Sequence, residues 1–353
     1  MARIMRFGII GCGAVAAVHA QAIRTVEGAE LVAVAGRSRD RVAAFAAGNA
    51  IQGYENYRQM LARSDIDAVS ICTPSGLHGE IALHAAAAGK HALVEKPMEI
   101  SLSRADAMIA AFRSRGLTLS VISQHRFDPD AVRLKEAIDT GSMGRPVMAA
   151  ASVHWYRGQS YYDSAGWRGT WQLDGGGVLI NQAIHTLDLL QFFMGPVKHV
   201  TAHKATLSHE RIEVEDTAAA AIRFESGALG SFSCTTSAYP GYSNRLELFW
   251  TGGSAVMESD RLTHFYRRGD HNGNEPFNEA YGQAGHQADG ASDPMGIRSD
   301  AHAMQLRDFI ASIWDKRRPA VDGEEGRKAL AFILASYKSS ETGSTVCIQN
   351  QGE

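Results

Sequence analysis

The chain has 353 residues, 45% hydrophobic and 21% charged, with a formal net charge of −3; that length accommodates about two domains and the composition excludes a disordered chain. A near-neutral balance argues against a nucleic-acid or anionic-membrane partner, because either favours a basic face. Cys12, Cys72, Cys234 and Cys347 lie too far apart for a zinc site or disulfide framework and fit a reducing cytoplasm, and no apolar run reaches the ~20 residues that span a bilayer.

The first segment admits two readings. A basic Met1–Arg6, an apolar Phe7–Val18 and the small-residue stretch Val18-His19-Ala20 resemble a secretory signal. Gly8, Gly11 and Gly13 inside that stretch favour a strand, a turn and a helix instead. On that reading strands and helices alternate: Arg6–Ile10, Ala14–Thr25, Leu31–Ala35, Arg39–Ala47, Tyr57–Arg63, Ala68–Cys72, Gly79–Ala88, His91–Val94, Arg104–Arg115 and Thr118–Val121. Strands spaced by helices predict an α/β fold with a doubly wound parallel sheet over residues 1–124.

Beyond that the pattern changes. Closely spaced strand candidates follow at Pro146–Trp155, His199–Leu207, Thr217–Phe224, Ala228–Ser237, Asn244–Trp250 and Ser254–Glu258. They predict an α+β domain over 125–353 with a large, mostly antiparallel open sheet. A helix over Val178–Met194 interrupts them and stops at Gly195-Pro196. The Gly-, Asn- and His-rich stretch 267–298 reads as a functional flap or disordered loop. Two closing helices, near Ala301–Trp314 and Glu324–Ser339, are positioned to pack back on the first domain.

The chemistry-bearing residues sit at strand ends and on one helix. Gly11-Cys12-Gly13-Ala14-Val15-Ala16 is a GxGxxA turn directly after a strand: Gly11 permits the turn, Gly13 lets backbone approach a pyrophosphate, and Ala16 packs helix on strand. The helix start at Ala14 and Val15 offers unpaired N–H groups to phosphate. At the end of the second strand, where an acid would bind a ribose 2′-hydroxyl, stand Gly36, Arg37 and Ser38, with Arg39 next; two guanidinium groups and no carboxylate lean the cofactor toward NADP over NAD. Asn181, His185 and Asp188 form a polar stripe on an otherwise apolar helix. His185 reads either as a hydrogen-bonded core histidine or as a general base. His264, His271, His286 and His302 lack metal-ligand spacing, so no metal site is expected.

Cys72-Thr73-Pro74-Ser75-Gly76-Leu77-His78, Val94-Glu95-Lys96-Pro97 and Gly175-Gly176-Gly177 leading to His185 complete the pattern. With the glycine turn they make nearly the whole chain resemble the glucose–fructose oxidoreductase and inositol dehydrogenase family (Gfo/Idh/MocA). The resemblance implies NAD(P)-dependent oxidation or reduction of a sugar, cyclitol or nucleotide-sugar hydroxyl, and a homodimer or homotetramer formed through the second-domain sheet. It also implies an unusual Glu95-Lys96-Pro97 backbone.

Lys96, at a strand end, would stabilise charge on the substrate oxygen; outside this motif it would read as a surface lysine. The dinucleotide is expected across Gly11–Val15, with nicotinamide near Thr73, Pro74, Ser75, His78, Glu95 and Lys96. Gln124, Trp167 and Arg168 are expected beside cofactor or substrate. Arg126 and Tyr156, with Lys96, Asn181 and His185, are expected at the substrate. Trp155, Tyr156, Tyr161 and Tyr162 read as a sugar-stacking wall or as core.

Asn181 departs from inositol-dehydrogenase-like members, which carry Asp there. An amide cannot act as a base, so Asn181 would orient the hydroxyl or His185, and Asn-Gln-x-x-x-His resembles members acting on pyranosides and nucleotide sugars. Two other readings stay open: a non-catalytic NAD(P)-binding sensor, and an NAD-dependent glycosidase of the same fold.

Overall fold

A computed structural model describes residues 4–269 and 299–348; most of the expected 267–298 loop, with His271 and His286, lies outside the described residues. The chain divides into two compact units, one of residues 4–124, 172–175 and 299–330, the other of 125–171, 176–269 and 331–348.

The first unit alternates β1 (Met5–Ile10), α1 (Ala14–Thr25), β2 (Ala29–Ala35), α2 (Arg39–Asn49), β3 (Gln52–Tyr54), α3 (Tyr57–Leu61), β4 (Ala68–Ile71), α4 (His78–Ala87), β5 (His91–Val94), α5 (Leu102–Ser114) and β6 (Leu119–Val121). All six strands are parallel, in the order β3-β2-β1-β4-β5-β6. The order reverses between β1 and β4, and in open α/β sheets ligands bind beyond the strand ends at that point. Such a sheet is covered on both faces, which is why Phe7, Ile9, Val34, Val69 and Leu93 can all be buried. On α1 the buried residues Ala16, His19, Ala20 and Ile23 follow the helical period, one of them polar.

The second unit begins with α6 (Pro129–Asp139), whose Pro129 occupies the first turn. Then come β7 (Pro146–His154), α7 (Gln159–Asp163), a π-helical turn Leu179–Ala183 running directly into α8 (Ile184–Met194), and β8 (Val197–Ala205), β9 (Thr217–Phe224), β10 (Leu229–Thr235), β11 (Arg245–Trp250), β12 (Gly253–Glu258), β13 (Arg261–Arg267) and β14 (Val346–Cys347). The eight strands order as β13-β12-β11-β7-β10-β9-β8-β14. Every neighbouring pair is antiparallel except β7 and β10, which are parallel. Strand burial alternates: Ala149, Ala151 and Val153 of β7 are buried on the face that carries α8, and Met148 on the other is exposed. That other face is an open depression of about 610 Å³ lined by small residues such as Ala150, Ser152, Ala219, Ala221, Ser231 and Ser233.

Two helices, α9 (Asp300–Trp314) and α10 (Gly323–Thr342), precede β14. Helix α9 packs on α1 in the first unit, where Phe309 meets Phe7 with ring centroids 6.2 Å apart. Among the described residues no helix is long and apolar enough to cross a membrane.

Phe309 is fully buried, so Phe309→Ala is expected to cost about 3–5 kcal/mol of stability. A urea titration should show a lower midpoint with the slope unchanged.

Candidate active site

The first unit builds a dinucleotide cradle at the end of β1. Gly11 has φ +117°, and a Cβ there would lie 2.3 Å from the Cys72 carbonyl oxygen, so the turn closes on β4 only without a side chain. Gly13 caps α1 with extended backbone, and a Cβ placed on it would meet nothing within 4 Å. Ala14 and Val15 therefore present the start of a three-turn helix across open space, as phosphate binding requires. Gly36 follows β2 with its N–H on the Tyr54 carbonyl, and a Cβ there would strike Cys12 Sγ at 2.9 Å. Arg37 and Ser38 are exposed beside it, and Arg39 lies 3.8 Å from Glu55.

Beyond β4, His78 fastens the Thr73–Ser75 turn to the strand-end loop of β5. Its Nδ1 and Nε2 lie 2.9 and 2.8 Å from the carbonyl oxygens of Pro97 and Thr73, and burial pushes its pKa down. The Thr73 hydroxyl is buried with no hydrogen-bond partner. A buried polar atom wants one, and together with the open glycine turn it fits this unit to a dinucleotide.

The Lys96–Pro97 peptide bond is cis. Glu95 is buried: its Oε1 is 2.7 Å from His19 Nε2 and 3.7 Å from His302 Nε2, and its Oε2 accepts the Lys96 N–H at 3.1 Å. His19 Nδ1 is in turn 2.5 Å from Ser70 Oγ. Burial alone would raise the Glu95 carboxyl, but its histidine partners outweigh that and hold it well below the ordinary value. The ligating atoms of His19, Glu95 and His302 lie within 4.8 Å of one another; with His19 bonded on both sides, the trio acts as a hydrogen-bond network behind the Lys96 backbone. Sequence reasoning missed it, although a histidine on the buried face of α1 was a signal.

In the second unit a buried carboxylate builds the helix that carries the polar stripe. Glu215 Oε2 accepts the Gly177 N–H at 3.0 Å, and Oε1 accepts the Leu179 N–H at 3.0 Å and the Tyr337 hydroxyl at 2.9 Å. These satisfy helix-start donors that would otherwise be orphaned. A Cβ on Gly177 would lie 1.7 Å from the Glu215 carbonyl oxygen, and one on Gly176 would lie 2.1 Å from the Tyr337 hydroxyl. Only glycine fits that approach.

Between Val178 and Gln191 the stripe splits by exposure: Asn181 and His185 alone are partly accessible, and Asp188 is buried. Asp188 takes two hydrogen bonds from Arg126, at 2.8 and 2.6 Å, and the same guanidinium lies 4.8 Å over the Phe192 ring. Arg126 was expected at the substrate; its Nε and Nη2 instead brace α8. Gln124 is buried at the end of β6.

The expected aromatic wall divides. Tyr162 is core, its hydroxyl 3.0 Å from Thr236 Oγ1. Arg168 stacks over Tyr161 and Trp167 at 4.2 and 4.7 Å and donates to the Tyr161 hydroxyl. Tyr156 meets Tyr239 edge-on at 5.2 Å, and Trp155 lies under the Arg157 guanidinium.

Comparison with known proteins gives the same outline. Residues 5–123 match the oxidoreductase family with an NAD-binding Rossmann fold, and residues 131–256 match the GFO/IDH/MocA C-terminal domain. The WlbA dehydrogenase of Bordetella pertussis, solved in complex with NADH and UDP-GlcNAcA, is 32% identical and superposes with a TM-score of 0.85, covering 98% of this chain and 99% of that one. The scyllo-inositol 2-dehydrogenase (NAD(+)) of Bacillus subtilis is 30% identical over 97% of this chain and 96% of its own. The myo-inositol 2-dehydrogenase of Thermotoga maritima is 28% identical over 98% of this chain and 99% of its own.

Two outcomes follow from the geometry. Gly177→Ala should cost more than about 2 kcal/mol, since backbone must move, while Gly166→Ala, with open space around it, should melt like the parent. Burial lowers the pKa of His19, His78 and His91, so the unfolded chain binds more protons than the folded one. Stability is then complete above the unfolded value of about 6.5 and is lost as pH falls below it. Calorimetry from pH 6.5 to 5 should show a falling Tm, and a flat Tm there would contradict this account.

Proposed function

As a member of the Gfo/Idh/MocA family the chain is an NAD-binding oxidoreductase, and we propose that it moves hydride between the nicotinamide and a secondary alcohol or ketone of a sugar, cyclitol or nucleotide sugar. The observation that carries the reading is the exposure of Asn181 and His185 alone along an otherwise buried stretch of helix.

Bound NAD supplies the hydride acceptor. Lys96 donates a hydrogen bond to the carbinol oxygen and stabilises charge developing there. His185 accepts the hydroxyl proton as the C–H hydride leaves, and returns it in the reduction. Asn181, an amide, moves no proton and orients the hydroxyl or His185. Gly11, Gly13, Ala14 and Val15 would hold the pyrophosphate, and Thr73, Pro74, Ser75, His78 and Gln124 the nicotinamide half; Glu95, expected beside the cofactor, instead commits its carboxylate to His19, His302 and the Lys96 N–H. Trp167, Arg168 and Tyr156 would line the approach of substrate.

For the cofactor we favour NAD. Arg37 and Arg39 lean toward NADP, but WlbA was solved with NADH and the Bacillus enzyme is named for NAD(+), and Arg39 already faces Glu55. For the substrate, the Asn-Gln-x-x-x-His form and the UDP-sugar bound by WlbA favour a nucleotide sugar. The open face of the eight-stranded sheet is where we place a second copy of the chain. Leu229, Met148 and Phe249 are direct neighbours across β10, β7 and β11 and form an exposed apolar row, and such rows on soluble proteins mark contacts.

Lys96→Ala and His185→Ala should each lower kcat by about 10²–10⁴-fold while NADH binding, read by nicotinamide fluorescence, stays within a few-fold. Both variants turning over like the parent would overturn the assignments. A panel of sugars, cyclitols and nucleotide sugars with NAD and NADP, followed at the reduced-nicotinamide absorbance, names the pair. No redox change with any of them would favour the sensor reading, and bond cleavage without net reduction the glycosidase. Met148→Arg should shift the mass by light scattering from assembly to monomer; a monomeric parent protein would end the interface proposal.

A further inference from the structure

His125 stands outside the chemistry assigned so far, yet it touches His185 and two carboxylates of the second unit. Its ring meets the His185 ring edge-on, with centroids 5.2 Å apart and planes at 87°. Its Nδ1 is 2.8 Å from Asp128 Oδ2 and 3.5 Å from Asp260 Oδ2. Asp260 also accepts from Asn244 Nδ2 at 2.8 Å, and the same amide nitrogen reaches the hydroxyl of Thr186, the neighbour of His185, at 3.2 Å. A closed ring of contacts thus joins His125, Asp260, Asn244 and α8.

The turn that supplies Asp260 is itself unusual. Ser259 and Asp260 link β12 to β13 with φ +48° and +61°, the two positive angles of a type I′ hairpin, where Asn-Gly is preferred. Asp tolerates that region but does not favour it. Local rules give way where another requirement is served, and here the requirement is a carboxylate beside His125.

We infer that His125 is a positioning residue: clamped by Asp128 and Asp260 with its ring against His185, it holds that imidazole in place and biases it toward its proton-accepting form. The inference rests on His185 being the base. Burial alone would lower the His125 pKa, but Asp260 and Asp128 outweigh it and raise it to about 9, so at neutral pH His125 is a cation. A second positive charge beside that cation is disfavoured, so His125 biases its neighbour toward the neutral form. The carboxylates of Asp128 and Asp260 face the His125 ring at its Nδ1, and Asp188 adds to their field. Arg126 pairs with Asp188, and Arg261 with Asp130.

The test uses the full-length protein with NADH, labelled in its histidine side chains. In the parent, His185 should titrate below His125 by NMR. In His125→Gln the His185 midpoint should rise by at least about half a pH unit, because a cation is lost and two carboxylates are uncovered. The low-pH limb of kcat should move with it while KM changes little. His125→Lys, which keeps the charge, should hold the midpoint near the parent value. Asp260→Asn, which suits the turn, should lower the midpoint of His125 itself from about 9. An unmoved His185 midpoint in His125→Gln, or an unmoved His125 midpoint in Asp260→Asn, would overturn the inference. Full turnover by His185→Ala with the NMR shifts intact would sink the base assignment alone and leave the coupling between the rings.

Discussion

A carboxylate taken out of water must be met by donors from every side, and two such groups decide where the candidate catalytic residues stand. Glu95 is enclosed by His19, His302 and the Lys96 backbone N–H. Glu215 is enclosed by the N–H groups of Gly177 and Leu179 and by Tyr337. Each carboxylate touches backbone next to a candidate residue: Glu95 at the Lys96 N–H, and Glu215 at the start of the helix that carries Asn181 and His185. Removing one partner would strand a buried charge, so these contacts fix the backbone far more firmly than surface ion pairs such as Arg39 with Glu55 can.

Much of this was legible in the sequence because the physics is local. The strands of the first unit are short apolar runs between turn residues, and α1 and β5 fall where the pattern puts them. The glycine turn was found because it sits at a strand end, where a parallel sheet places its ligands; Lys96 shares that position but stood out through the Glu-Lys-Pro motif and the resemblance it carries. What escaped lacks a local signal. Strand β3 has three residues and β14 two, too few for an alternation to show. Helix α6 received no reading from the sequence and is the exception, since Asp128-Pro129 does mark its start. The parallel pairing of β7 with β10 depends on chain paths that no periodicity records.

The site was legible in its chemistry and opaque in its partnerships. His185 and Asn181 stood out as polar residues on an apolar helix, but so did Asp188, and only the fold separates them. Arg126, 62 positions away in sequence, covers Asp188 with two hydrogen bonds, and a well-placed guanidinium pair of this kind is structural in effect. Glu215 lies 38 residues from the Gly177 it caps. Its neighbours in sequence give no hint of that task. The triple glycine was the visible half of the arrangement, since small residues record a close approach without naming what approaches.

The π-helical turn over Leu179–Ala183 shows how these constraints combine. A π turn replaces i→i+4 hydrogen bonds with longer i→i+5 ones and persists where surrounding structure compensates. Here Glu215 bonds the N–H groups of Gly177, just before the turn, and of Leu179, its first residue, and Arg126 anchors Asp188 one turn beyond His185. The helix is held at both ends of the irregular stretch, so the π turn lies between two fixed points. Asn181 lies inside the π turn and His185 just after it. A regular helix would wind these two residues differently about the axis; the fold therefore uses its buried ion pair and buried carboxylate to hold an amide and an imidazole at a spacing that helical periodicity alone does not supply.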